Sequence, residues 1–208
     1  MALLFAKNNS LSAVTALPAS VSGGGLNLIS TQTASNSATI DFTSGLDSTY
    51  KEYIFKFYNM HPATDNTHFT FNMSIDGGSN YNVTKTTTYC HAAHNESGSA
   101  QEVAYQATSD LAQSTDFHRL QNFSNSNNDA SCSGFLHLFN PSSTTFTKCF
   151  MSNFNSSSYT SDPYSLNPFT AGYGNTTSAV DAVQFKYSSG AIESGIIKFY
   201  GVTWWLLV

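Results

Sequence analysis

The chain has 208 residues, a formal net charge of −5 and only 10 % charged residues, while Ser, Thr and Asn number 31, 23 and 19 and aromatics make up 14 %. That length suits one domain, or one all-β domain with added arms, and supports a core without staples. A single arginine, Arg119, and no basic cluster exclude nucleic-acid binding and docking on anionic membranes, which both need clustered cations.

Residues 1–25, "MALLFAKNNSLSAVTALPASVSGGG", are small and moderately apolar and end in three glycines, so they read as an N-terminal arm and a hinge. Leu3, Leu4 and Phe5 are the arm's apolar anchors. The start lacks a basic n-region, and its apolar run is too short for a signal peptide. From residue 26 the strand signals come regularly. "LNLISTQT" and "ATIDF" are two short candidates. "EYIFKFYN" (52–59) is apolar on both faces and reads as a central strand. "HFTFNMSI" (68–75) alternates, with Phe69, Phe71, Met73 and Ile75 on one face and His68, Thr70, Asn72 and Ser74 on a wet one. The turn "DGGSN" (76–80) then predicts a hairpin return along "YNVTKTTTY" (81–89).

Residues 90–131 read as a long excursion with one or two short strands or a helical turn, ending in "NFSNSNNDAS", an exposed loop by composition. "SGFLHLF" (133–139), the turn "NPSS" and "TFTKCFMSNF" (145–154) predict a second hairpin. "SYTSDPYSLNP" (158–168) reads as a loop. "FTAGYG", "AVQFKYS" and "GIIKFYG" give three more strands. No run approaches the roughly 18 apolar residues of a membrane-spanning helix.

The chain closes on Trp204, Trp205, Leu206, Leu207 and Val208, with no polar position. Burying five such side chains would contribute roughly 8–15 kcal/mol before ordering costs. Their lack of alternation favours a contact with a neighbouring subunit over a last strand in the chain's own sandwich. The boundaries are therefore an arm (1–25), a β-domain (26–202) and a hydrophobic C-terminal extension (203–208). About ten short strands and no internal repeat predict a jelly-roll-like antiparallel β-sandwich.

The stretches "TASNSATIDF", "YIFKFYN" and "DGGSNY", with "GFLHLFNPSS", "AGYGNTTSAVDAVQFKYSSG" and "GIIKFYGV", together resemble virion structural proteins of tailed bacteriophages, above all marine and cyanobacterial ones. The resemblance covers roughly residues 26–202. It implies a non-enzymatic tail-fibre-like or head-decoration protein, located in the virion. Other virion proteins are the implied partners, and a homotrimer the implied assembly. It supplies no catalytic residues and no cofactor.

The residues themselves offer little for chemistry. Cys90, His91 and His94 are the nearest approach to a metal cluster, yet the two histidines would face opposite sides of a strand, so no metal site is expected. Asp76 and Asn80 lack the alternate oxygens and closing Glu of a calcium loop. There is no Gly-x-Ser-x-Gly elbow. The 13 acids are scattered, with no pair placed for glycoside hydrolysis. Cys90, Cys132 and Cys149 allow at most one disulfide, and small buried hydrophobes are the simpler reading. The alternative to a purely structural role is carbohydrate binding in a host-recognition module. Sugars stack on exposed rings and bond to amides and hydroxyls, which points to Tyr159 and Tyr164 in one loop and to Phe123 and Asn125 in another.

Overall fold

The computed structural model describes residues 25–158 and 161–203. The expectations placed on Leu3, Leu4, Phe5, Tyr159 and residues 204–208 fall outside the described residues. Twelve strands are formed, and among the described residues there is no helix. The first six are β1 (Leu26–Ser37), β2 (Ile40–Phe42), β3 (Glu52–Pro62), β4 (Thr67–Ser74), β5 (Lys85–Asn95) and β6 (Gln101–Tyr105). The others are β7 (His118–Ser124), β8 (Cys132–Phe139), β9 (Lys148–Ser157), β10 (Tyr164–Gly174), β11 (Ala182–Tyr187) and β12 (Ile192–Val202).

Eight strands form one antiparallel sheet in the order β1-β12-β3-β8-β9-β10-β5-β6, and four form a second in the order β2-β11-β4-β7. The all-β sandwich is as expected. The agreement stops at that level: β8–β9–β10 is a meander inside one sheet, whereas a jelly roll divides eight strands between two Greek keys.

The inner faces meet through phenylalanines. Alternation puts Phe55 and Phe57 of β3, Phe69 and Phe71 of β4 and Phe185 of β11 on the facing surfaces, all fully or almost fully buried. The Phe185 ring centroid lies 5.2 Å from that of Phe55 and 5.0 Å from that of Phe57, across the sandwich. Phe55 and Phe199 stack at 4.6 Å with an interplanar angle of 5°. Such ring pairs add roughly 0.5–1.5 kcal/mol each beyond their buried area.

Some expectations hold and others need correction. Residues 52–59 do lie in a central strand, since β3 pairs with both β12 and β8. The hairpin over 133–154 is present as β8 and β9. The hairpin over 68–89 is not. β4 pairs with β11 and β7, whereas β5 pairs with β10 and β6 in the other sheet. The "DGGSN" loop carries the chain between the sheets. Val83 N–H donates to the Met73 carbonyl at 3.4 Å where the return passes β4, but no ladder forms between them.

The face of β4 expected to be wet is mostly buried, because loops cross it. Asn72 donates from Nδ2 to the carbonyls of Tyr81 (2.7 Å) and Thr115 (2.8 Å), and Thr70 donates to the Lys186 carbonyl (2.9 Å). Ile75, expected inside, is 43 % exposed just past the strand end. Residues 164–168, read as loop, begin β10. Pro168 is tolerated there because side-chain amides replace ladder bonds: Asn153 donates to the Pro168 carbonyl and Asn167 to that of Phe154. All three cysteines are free, and of these only Cys132 is buried.

Burial also traps a charge. Lys85 is fully buried, and its ammonium donates to Asn72 Oδ1 (2.5 Å) and to the Val83 carbonyl (2.7 Å). Burial pushes its pKa down to about 7, with Asp116 opposing. His118, also fully buried, is pushed down to about 3 by burial and then by the charges of Lys85 and Arg119. Both groups bind protons more tightly in the unfolded chain, so stability rises with pH across each window between folded and unfolded values.

Two outcomes follow from this core. Phe185→Ala should cost about 3–5 kcal/mol in urea unfolding, the range for emptying a large aromatic site. The melting temperature should climb from about pH 4 to about pH 9. In Lys85→Met the part of that rise above about pH 7 should shrink to what Lys148 supplies while the acidic part remains, which thermal scans across pH would read directly.

Candidate functional site

The unequal sheets create a flank. β7, the edge of the four-stranded sheet, packs over β9 and β10, and Gln121 of β7 donates to the Ser156 hydroxyl of β9. β5 and β6 lie beyond that edge, so part of their inner surface has no opposing strand. A cavity of about 300 Å³ opens there, at the lower end of the range for ligand sites.

The floor of this cleft comes from alternation. His91 and Ala93 of β5 sit on the inner face, beside Leu166 and Tyr164 of β10, which pair with Ala93 and Asn95. Glu102 of β6 stands opposite Ala93, and its carboxylate meets His91 Nε2 at 2.9 Å. The histidine is buried in this pair, while the Glu102 side chain is 57 % exposed. The pair is thus anchored on one side and open to a ligand on the other.

The wall is β7. Between Thr67 and Phe69 the register to β7 slips by one residue, a bulge around Asn122 and Phe123. Phe123 sits there with φ of +52°, the left-handed region that bulky residues rarely occupy, and its ring is 47 % exposed. His68 braces it: Phe123 N–H donates to His68 Nδ1 at 3.2 Å, and the rings meet edge to face at 5.4 Å. A bulge that re-aims one large side chain, with strain of roughly 1–3 kcal/mol, is a recurrent feature of binding sites. Asn122 beside it is buried. Its Nδ2 donates to Ser109 Oγ at 2.7 Å, and its Oδ1 has no partner among the described residues.

A second, wider cavity of about 590 Å³ shares Tyr164 with the first, but its His94, Ser165 and Asn155 belong to the opposite face of the eight-stranded sheet. It runs across the ends of β5, β10, β9 and β8, between His94, Glu96, Asp129 and a series of Ser and Asn side chains. No lysine or arginine among the described residues lines either cavity.

Of the four residues singled out for carbohydrate, the fold brings Tyr164 and Phe123 to one cleft, although 41 positions separate them in sequence. Asn125 is elsewhere: it is buried, and its Oδ1 accepts the Asn127 N–H at 2.8 Å, which closes a local turn. Sequence reasoning weighed His91 only as a metal ligand and passed over Glu102 and Asn122. The signal for His91 lay in the alternation of residues 85–95, which puts it in phase with Tyr89 and Ala93 and opposite to Cys90 and His94. The "DGGSN" turn is self-satisfied, with Asp76 accepting from Asn80 and Ser74, and those bonds hold its carboxyl below the usual range.

If the Phe123 ring serves the surface and not the core, Phe123→Asn should leave stability within about 1 kcal/mol of the original or raise it, because asparagine accepts positive φ readily. Chemical denaturation checks this, and a loss above about 2 kcal/mol would make the ring a structural element.

No family model matches the chain, and neither a curated protein nor a solved structure matches it.

Proposed function

We propose that this chain is a non-enzymatic structural protein of a phage virion, displayed on the capsid or tail and working by protein–protein packing. The observation that carries this reading is the outer face of the eight-stranded sheet. One register row there joins Phe135, Asn153, Phe169, Cys90 and Tyr105 across five strands, and three of its rings are exposed. Exposed Met151 stands in the adjacent row. Contiguous apolar surface of this kind marks contact faces, and aromatic and methionine side chains are favoured at interface centres. The occupant is a neighbouring copy of the chain, in a homotrimer, consistent with the prevalence of closed symmetry. The resemblance of residues 26–202 to phage structural proteins supports the same reading.

Light scattering on the purified protein tests it. The wild type should run as a trimer, and Phe135→Ser with Phe169→Ser should run as a monomer with an unchanged melting temperature. A monomeric wild type at high concentration, together with its absence from purified particles, would overturn the proposal.

A second reading has its own support: a carbohydrate-binding recognition module of a tail or head fibre. The convergence of Tyr164 and Phe123 on a cleft lined by the His91–Glu102 pair favours it.

A further inference from the structure

We infer that the inner cleft is a blind pocket for a single sugar unit, the neutral terminal residue of a glycan, and that Asn122 is the buried group that reads it. This rests on the carbohydrate reading above and adds to it the size, charge and end-on placement of the ligand.

The cleft is closed at both ends. Its floor is the inner face of β5 and β10, with His91, Ala93 and Leu166, and its wall is β7. At one end Ser124 of β7 forms a bridge with Ser158, and Ser158 Oγ accepts the Tyr164 N–H at 3.2 Å, which ties the wall to the floor. At the other end Asn122 Nδ2 donates to Ser109 Oγ at 2.7 Å, and Ser109 N–H donates to the Gln106 carbonyl at 3.0 Å, which ties the wall to the turn that follows β6. The larger cavity opens on the opposite face of the sheet and does not extend this one. A volume of about 300 Å³ between two tied ends suits one sugar ring. It favours a ligand that enters by its terminus over a chain that lies through the cleft.

The lining selects the chemistry. A sugar has an apolar face of C–H groups and a rim of hydroxyls. Phe123 offers an exposed ring to the apolar face, and its bulged backbone holds that ring out of the core. Asn122 is 3 % exposed, and its Oδ1 has no partner among the described residues. Such a buried acceptor costs free energy until a donor reaches it, and a hydroxyl is a donor of the right size. A site of this kind rejects a ligand that lacks the matching donor. Glu102, fixed by His91 at 2.9 Å, brings a charged acceptor to neighbouring hydroxyls, a contact stronger than a neutral one. The amides of Gln101 and Gln106 both give and accept hydrogen bonds, as hydroxyls do and an ammonium group does not. No lysine or arginine among the described residues lines the cleft, so a sialic or uronic acid would meet the Glu102 carboxylate uncompensated.

NMR titration with the methyl glycosides of glucose, galactose, mannose and N-acetylglucosamine, beside those of glucuronic and sialic acid, tests the inference. The expected result is saturable binding of at least one neutral glycoside, with a shift of the Asn122 side-chain amide signal, and no binding of the acidic ones. Oligosaccharides ending in the same unit should bind within about threefold of the single unit. Phe123→Asn should weaken binding by about tenfold, equivalent to about 1.4 kcal/mol. Ala93→Leu, which fills the floor, should abolish binding, and Ser165→Trp, on the opposite face of the sheet, should leave it unchanged. Circular dichroism would confirm that the variants fold. Affinity that climbs steadily with chain length, or binding that survives Ala93→Leu and is lost in Ser165→Trp, would overturn the pocket but leave the carbohydrate reading standing. A preference for the acidic glycosides would overturn the charge argument and with it the inference. Failure of every glycoside and of a broad glycan array would overturn the inference and the carbohydrate reading together.

Discussion

The packing of phenylalanines between the two sheets is the constraint on which the rest depends. Phe185 touches rings from its own sheet and from the facing one, with Phe42, Phe55, Phe57, Phe69 and Phe71 around it. A slip of one residue in β11 would turn Phe185 outward and bring Gln184 inward. Register is therefore fixed where the smaller sheet lies. It is fixed less strongly where the larger sheet has no opposite number, and the cleft lies there.

The cleft is thus a by-product of arithmetic, four strands covering eight. A sandwich with equal sheets would bury the inner faces of β5 and β6 as it buries that of β3. Here the far part of those faces carries small or polar residues, Ala93 and Glu102, although Tyr89 of β5 is still fully buried. Of the two rings that line the cleft, Tyr164 and Phe123, Phe123 belongs to the opposing edge and is turned outward by a bulge.

The large features were legible in the letters. A run apolar on both faces identified β3 as central, the NPSS turn between two strand runs paired β8 with β9, and the abundance of aromatic and β-branched residues pointed to the all-β class. The error over 68–89 has a clear cause. A Gly-Gly turn between two alternating runs is a local hairpin signal, but β4 buries phenylalanines on the sheet that β11 completes, with Phe71 opposite Phe185. The long-range apolar pairing outweighed the local turn. Asn125 and residues 164–168 failed for a related reason. Composition marks a polar stretch as loop, yet polar side chains that satisfy backbone groups can be buried beside a strand, as Asn125 is, or half-buried within one, as Asn153 and Asn167 are. The site was half legible: exposed aromatics among amides suggested Tyr164 and Phe123, but that they share a cleft depends on strand order, which no local pattern encodes.

The low charge of the chain bears on both proposed roles at once. Contacts between exposed charges weaken as salt screens them over about 8–10 Å. Stacking on Phe123 and Tyr164, hydrogen bonds to neutral amides and apolar packing on Phe135 and Phe169 do not depend on that screening. The core follows the same rule. Its buried lysines, Lys85 and Lys148, are held by carbonyl and amide oxygens. A protein assembled and recognised through such contacts keeps its interactions across a wide range of ionic strength. Its sensitivity is shifted to pH, through the few groups that burial has moved.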